Sequence, residues 1–180
     1  MTVVKIKKGA LALVVFAALL FAGPPRDSEA QTAPGQSGLV ETVERGYLAH
    51  RRGEYDRAVE IYTAIIQRRG LTAKQRAVTY LLRGEAKRDK GELVESVYDF
   101  TRALNQWKNY PQAIFFRGQV LARLNRLPEA LIDYTRAAEL DPNRESYHTS
   151  LALLKKTMRE RGLSVEVKNS TLEIVLPKND

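Results

Sequence analysis

A chain of 180 residues with 29 Lys+Arg against 21 Asp+Glu, a net charge of +8 and no cysteine has room for one domain plus extensions. The missing cysteine excludes disulfide scaffolds, thiolate metal sites, iron–sulfur clusters and cysteine nucleophiles, and His50 and His148 alone cannot build an all-histidine metal site. A hydrophobic content of 44% excludes wholesale disorder, while the basic balance leaves nucleic acid, anionic lipid or an acidic protein as counter-ion.

Residues 1–30 read as a secretory leader. Lys5, Lys7 and Lys8 precede the uncharged run 10–22, ALALVVFAALLFA, whose helical rise of ~20 Å falls short of the ~30 Å hydrocarbon core. Small residues at Ser28 and Ala30 place cleavage before Gln31, and the alternative is an uncleaved inner-membrane anchor that contacts lipid through residues 1–22. Cleavage leaves 25 cations against 19 anions, a net +6. Export turns that charge away from nucleic acid and toward anionic lipid, cell-wall polymer or acidic protein. Residues 31–38, QTAPGQSG, read as a linker with nothing to bury.

The next hundred or so residues repeat themselves. Asp99-Phe100-Thr101-Arg102-Ala103 returns as Asp133-Tyr134-Thr135-Arg136-Ala137, and Arg83-Gly84 returns as Arg117-Gly118, both at a shift of 34. Arg45-Gly46, Gly53, Ala58 and Tyr62 precede Arg83-Gly84, Gly91, Ser96 and Phe100 by 38, so four residues are inserted between the first two copies.

Each copy predicts two amphipathic helices. Glycine inside a helix costs about 1 kcal/mol against alanine, a cost acceptable where the absent side chain lets another helix come close. Gly46, Gly84 and Gly118 hold that place in the first helix of each copy. Ala58, Ser96 and Ala130 are small in the second, and Tyr62, Phe100 and Tyr134 follow one turn later as plugs. Gly53, Gly91 and Asn125 stand where a left-handed cap ends the first helix. Thr72 and Gln75 form a capping box, and Pro111 and Pro128 fit first turns.

With Gly118, Leu121, Ala130, Tyr134, Ala137 and Pro142 in order, the 34-residue period resembles the tetratricopeptide-repeat (TPR) family from Leu39 to Pro142. Arg45, Arg83 and Arg117 depart from it, standing where the family more often has leucine. The resemblance implies an all-α solenoid. Its expected parts are a first hairpin at 39–72, an insertion at 73–76, a second hairpin at 77–110 and a third at 111–144. A capping helix follows at 145–162, with Leu151, Leu153 and Leu154 turned inward, and then a tail at 163–180 that carries a short β-hairpin or stays mobile.

The resemblance also implies that the first helices line a groove. Its residues would be Val40, Val43, Tyr47, His50 and Arg51 in the first copy. Val78, Leu81, Glu85, Arg88 and Asp89 follow in the second, and Gln112, Phe115, Gln119, Ala122 and Arg123 in the third. Val43, Tyr47, Val78, Leu81 and Phe115 would form an exposed apolar strip and Arg51, Arg88 and Arg123 a cationic rim, suited to a peptide with apolar anchors and acidic neighbours. Two plainer roles stay open, the apolar residues as spacers between repeats and the arginines as solvated helix ends. The Lys/Asn clamp by which some family members hold chaperone tails is absent, since its places read Val43, Tyr47, Leu82, Gln112 and Phe116.

His50 reads as a surface residue, His148 as the start of the cap, and Trp107 as a staple between repeats. No phosphate loop, nucleophile elbow or paired His/Glu motif is legible, so no catalysis, metal or cofactor is expected. The sequence thus predicts a non-enzymatic adaptor or assembly factor of the bacterial envelope, periplasmic or secreted, whose partner is a protein or peptide and not nucleic acid. The alternative is a membrane-anchored structural protein with basic faces on anionic lipid.

Overall fold

The computed structural model describes residues 34–168 and 171–175. The expected leader, residues 1–30, lies outside the described residues, as do 31–33, 169–170 and 176–180.

Among the described residues seven helices follow in chain order: α1 (Pro34–Arg51), α2 (Tyr55–Ile66), α3 (Ala73–Lys90), α4 (Leu93–Gln106), α5 (Pro111–Arg123), α6 (Leu127–Leu140) and α7 (Glu145–Glu160). They pair as three hairpins, α1 with α2, α3 with α4 and α5 with α6, and α7 closes the stack against α6. After α7, β1 (Ser164–Lys168) and β2 (Thr171–Val175) pair antiparallel with Ser164 opposite Val175. One expectation is corrected at the start. Residues 34–38, read as linker, are helical, with Pro34 at the N-terminal end, where its missing N–H costs nothing.

The glycines on the first helices make the hairpins possible. A Cβ on Gly46 would fall 2.7 Å from Tyr62 Cε1, and one on Gly118 would fall 2.9 Å from Tyr134 Cδ1. Both are closer than two carbon atoms can pack, so the aromatic ring occupies the space a side chain would need. The four inserted residues become one extra turn at the start of α3. Gly84 accordingly stands eleven residues after Ala73, while Gly118 stands seven after Pro111. Thr72 caps that turn, its hydroxyl accepting from the Gln75 N–H at 3.2 Å while its own N–H donates to Gln75 Oε1 at 2.9 Å.

Two of the three arginines that depart from the family pattern, Arg83 and Arg117, bind the hairpins together. Arg83 lies against Asp99 of its own hairpin, and its remaining amino group donates to Thr63 of the hairpin before, at 2.9 Å. Arg117 does the same with Asp133 and, at 3.4 Å, with Thr101. Asp99 also accepts from Lys87 at 2.8 Å. Asp133, a residue of the recurring motif, is therefore buried in an ion pair.

The cap needs a second correction. α7 buries Tyr147, Leu154 and Met158, and Leu151 is half-buried, but Leu153 is 63% exposed. The buried residues follow one stripe of the helix, and Leu153 lies a residue off it. Its repeat position is that of Gln119 and Glu85, 34 and 68 residues earlier, on the face of the first helices. Trp107 caps α4 and stacks on Tyr110 with ring centroids 4.4 Å apart, as a staple at the hairpin junction.

Candidate partner-binding face

The first helices α1, α3 and α5 carry all ten candidate binding residues, and the structure divides them into two layers. Val43, Val78, Leu81 and Phe115 are buried, so the exposed apolar strip does not exist. These side chains are needed between helices. Phe115 packs on Tyr147 at 4.5 Å and on Tyr134 at 5.3 Å, and the other three belong to the same continuous core. Covering a side chain of this size contributes about 1.5–3 kcal/mol, which outweighs leaving it on a free face.

Above that floor lie the partly buried residues Tyr47, Glu85 and Gln119, which occupy equivalent positions in the three hairpins, with His50, Arg88, Phe116 and Ala122 beside them. Arg51 and Arg123 are exposed, and neither makes an ion pair among the described residues. Arg88 departs from the expected rim. The middle copy has Asp89 at the place of Arg51 and Arg123, one residue on, and Arg88 turns across the face instead. Its guanidinium carbon sits 5.1 Å from the centre of the Phe116 ring, and its Nε donates to Asp89 Oδ1 at 2.8 Å.

His50 also departs from its expected surface role. Its Nε2 lies 2.9 Å from Asp89 Oδ2, so it ties α1 to α3. Burial would raise the Asp89 carboxyl, but hydrogen bonds from Arg88 and His50 outweigh it and hold the group below the usual carboxylate range.

Glu85 stands at the centre. Its side chain is 13% exposed, and the nearest cation, Arg88 Nη2, is 4.0 Å away. Burial pushes the carboxyl up to about 7, against the pull of Arg88 and with a push from Asp89. The Tyr62 hydroxyl beneath is fully buried without a hydrogen-bond partner among the described residues, and burial, Glu85 and Tyr47 all raise its pKa.

A second concavity of about 230 Å³ lies between α4 and α6, lined by Val97, Thr101, Arg117, Ile132 and Asp133. Its charged groups are already satisfied, Arg117 by Asp133 and Arg126 by Glu129. No group of three or more metal-ligating side chains occurs among the described residues. The arrangement on the first helices can hold a ligand by stacking, hydrogen bonds and charge.

Sequence reasoning missed Phe116 as a surface aromatic and Asp99 and Asp133 as the partners of the recurring arginines. The signal for the second was present, since each aspartate follows its arginine by sixteen residues.

Stacked helix hairpins with a small-residue seam and an aromatic plug define an all-α TPR fold. Residues 111–144 match the family model described as "Tetratricopeptide repeat". RNA polymerase II-associated protein 3 of Xenopus tropicalis is 29% identical over 157 residues, covering 86% of this chain and 23% of that protein. The chain spans less than a quarter of the length of the curated relatives it matches. Among solved structures, the second TPR domain of human RPAP3 in complex with an HSP70 peptide superposes with a TM-score of 0.59 at 27% identity, covering 66% of this chain and 96% of that one. The Yersinia enterocolitica type III secretion chaperone SycD, in complex with a peptide of the translocator YopD, superposes with a TM-score of 0.62 at 15% identity, covering 69% and 95%.

Proposed function

We propose that this chain is a non-enzymatic adaptor or assembly factor of the bacterial cell envelope that holds a peptide segment of another protein on its first-helix face. The observation that carries the reading is the stack of Arg88 on Phe116 beside partly exposed Tyr47 and the Glu85 carboxyl, an amphipathic surface over a rigid apolar floor. Aromatic and arginine side chains of this kind supply the anchors of most protein interfaces. The peptides bound by RPAP3 and SycD support peptide binding here, and the leader pattern of residues 1–30 supports export. The partner is a protein or peptide and not nucleic acid. Its acidic side chains would pair with Arg51 and Arg123.

The test is cross-linking capture from a bacterial envelope extract with the wild type and with Phe116→Ala. Part of the Phe116 ring is exposed, so its truncation should remove captured partner, with capture compared where both forms are folded because the ring also packs on Phe100 and Phe115. Equal capture by both folded forms would show that the partner uses another surface. Mass spectrometry of the native protein tests the address. A mature N-terminus at Gln31 supports release, and an intact Met1 supports the anchored structural protein that is the alternative.

A further inference from the structure

We infer that Glu85 is the seat for a cationic side chain, so that the first-helix face selects segments carrying a lysine or arginine anchor; this rests on the reading of that face as the binding surface.

The geometry leaves few other roles for this carboxyl. It sits in the middle hairpin, at the position held by Tyr47 and Gln119 in its neighbours, and makes no hydrogen bond among the described residues. Arg88 serves it only at a distance, its Nη2 4.0 Å away, because its Nε is held by Asp89 and its face lies on Phe116. Beneath it the Tyr62 hydroxyl is buried with its own hydrogen bond unmade among the described residues. A carboxylate withdrawn from water is costly unless donors surround it. An incoming ammonium or guanidinium would give this carboxylate charge-assisted hydrogen bonds at close range. The partly exposed ring of Tyr47, on the flanking helix α1, can accept the rest of such a side chain over its face, while Phe116 already carries Arg88. An acidic anchor would meet repulsion from Glu85 and Asp89, and an apolar one would bury the carboxyl with only the distant Arg88 beside it.

The titratable groups around Glu85 are Tyr47 and His50 of α1, Tyr62 of α2, Arg88 and Asp89 of its own helix, and Tyr110 ahead of α5. With its carboxyl pushed up to about 7, Glu85 is partly protonated in neutral solution, and a cation seated there expels the proton. Affinity for a basic segment therefore rises with pH.

The experiment exposes the full chain, with and without Glu85→Gln, to a library of short synthetic peptides and then titrates the peptides it retains. The inference expects lysine or arginine at one fixed position of the retained peptides. It expects roughly tenfold tighter binding at pH 8 than at pH 6, and loss of that rise in Glu85→Gln, with His50→Gln run alongside to separate the imidazole's contribution. Retained peptides with no basic position, or equal binding by Glu85→Gln, overturn the inference while leaving the face a peptide site. Retained peptides indifferent to Tyr47→Ala and Phe116→Ala overturn the face itself. Retention of no peptide overturns both.

Discussion

Arg83 and Asp99 meet through two parallel hydrogen bonds, Nε to Oδ2 at 2.8 Å and Nη2 to Oδ1 at 2.6 Å, inside the second hairpin. Because Asp99 is 2% exposed, removing it strands two cations, Arg83 and Lys87, against an apolar seam. Breaking a buried pair from one side costs about 3–5 kcal/mol, whereas replacing both partners with apolar side chains is often close to neutral. Asp99→Ala should therefore lower the melting temperature sharply, and Arg83→Leu combined with Asp99→Leu should recover the part of the loss that Arg83 causes, with Lys87 left to reach solvent. Thermal melts of the single and double variants decide it. A double variant no more stable than Asp99→Ala would show that the pair is worth more than its replacement.

The threonines give a paired test. Thr63 accepts from Arg83, but Thr135 Oγ1, at the same repeat position, is buried without a partner among the described residues. Valine keeps the shape and removes the hydroxyl. Thr135→Val should raise stability by about 1 kcal/mol, and Thr63→Val should lower it by a similar amount, read by urea unfolding. The same sign for both would contradict the assigned hydrogen bonds.

The fold was legible because its rules are local. Gly118 with Ala130 and Tyr134 betrays a tight seam at any position in a chain, and Gly91 and Asn125 betray caps; both cap residues adopt left-handed backbone, with φ of 99° and 59°. The binding face was legible only as a set of helix positions. Whether Phe115 or Phe116 faces solvent depends on how the next hairpin and α7 lean on α5, a long-range fact that adjacent aromatic letters do not carry. The role of Arg83 was hidden for a related reason, since its acceptors lie on two different hairpins.

Those two phenylalanines should separate in experiment. Phe115→Ala empties a space bounded by Tyr134 and Tyr147 and should cost about 3–5 kcal/mol, lowering the melting temperature whether or not a partner is present. A thermal scan that leaves Phe115→Ala near wild type would place its ring outside the core.

Glu85 should govern the pH dependence of stability. Its carboxyl rises from 4.5 to about 7 on folding, so the folded state holds a proton that the unfolded state has lost. Stability should fall as pH climbs between these two values, by on the order of 2–3 kcal/mol, and stay flat above. Glu85→Gln should abolish that slope and be the more stable form at pH 8. Denaturant unfolding from pH 5 to pH 8 measures it, and parallel profiles for both proteins would refute the assignment.

Because each clasp of arginine, aspartate and threonine points from one hairpin to the one before it, the array has a grammar of growth. A second copy of residues 77–110 spliced behind the first would bring its own Arg83 against the Thr101 ahead of it, the pairing that Arg117 already makes, and every clasp would close. A copied first hairpin could not do this, for it carries Ile61 where the carboxylate should stand sixteen residues after Arg45, and would drive an unmatched guanidinium inward. At the far end Leu151 stands where a further arginine would reach Thr135. In evolutionary terms the second and third hairpins, each with its own arginine, aspartate and threonine, are the units that unequal recombination can multiply, whereas a copied first hairpin would bring an arginine without its aspartate.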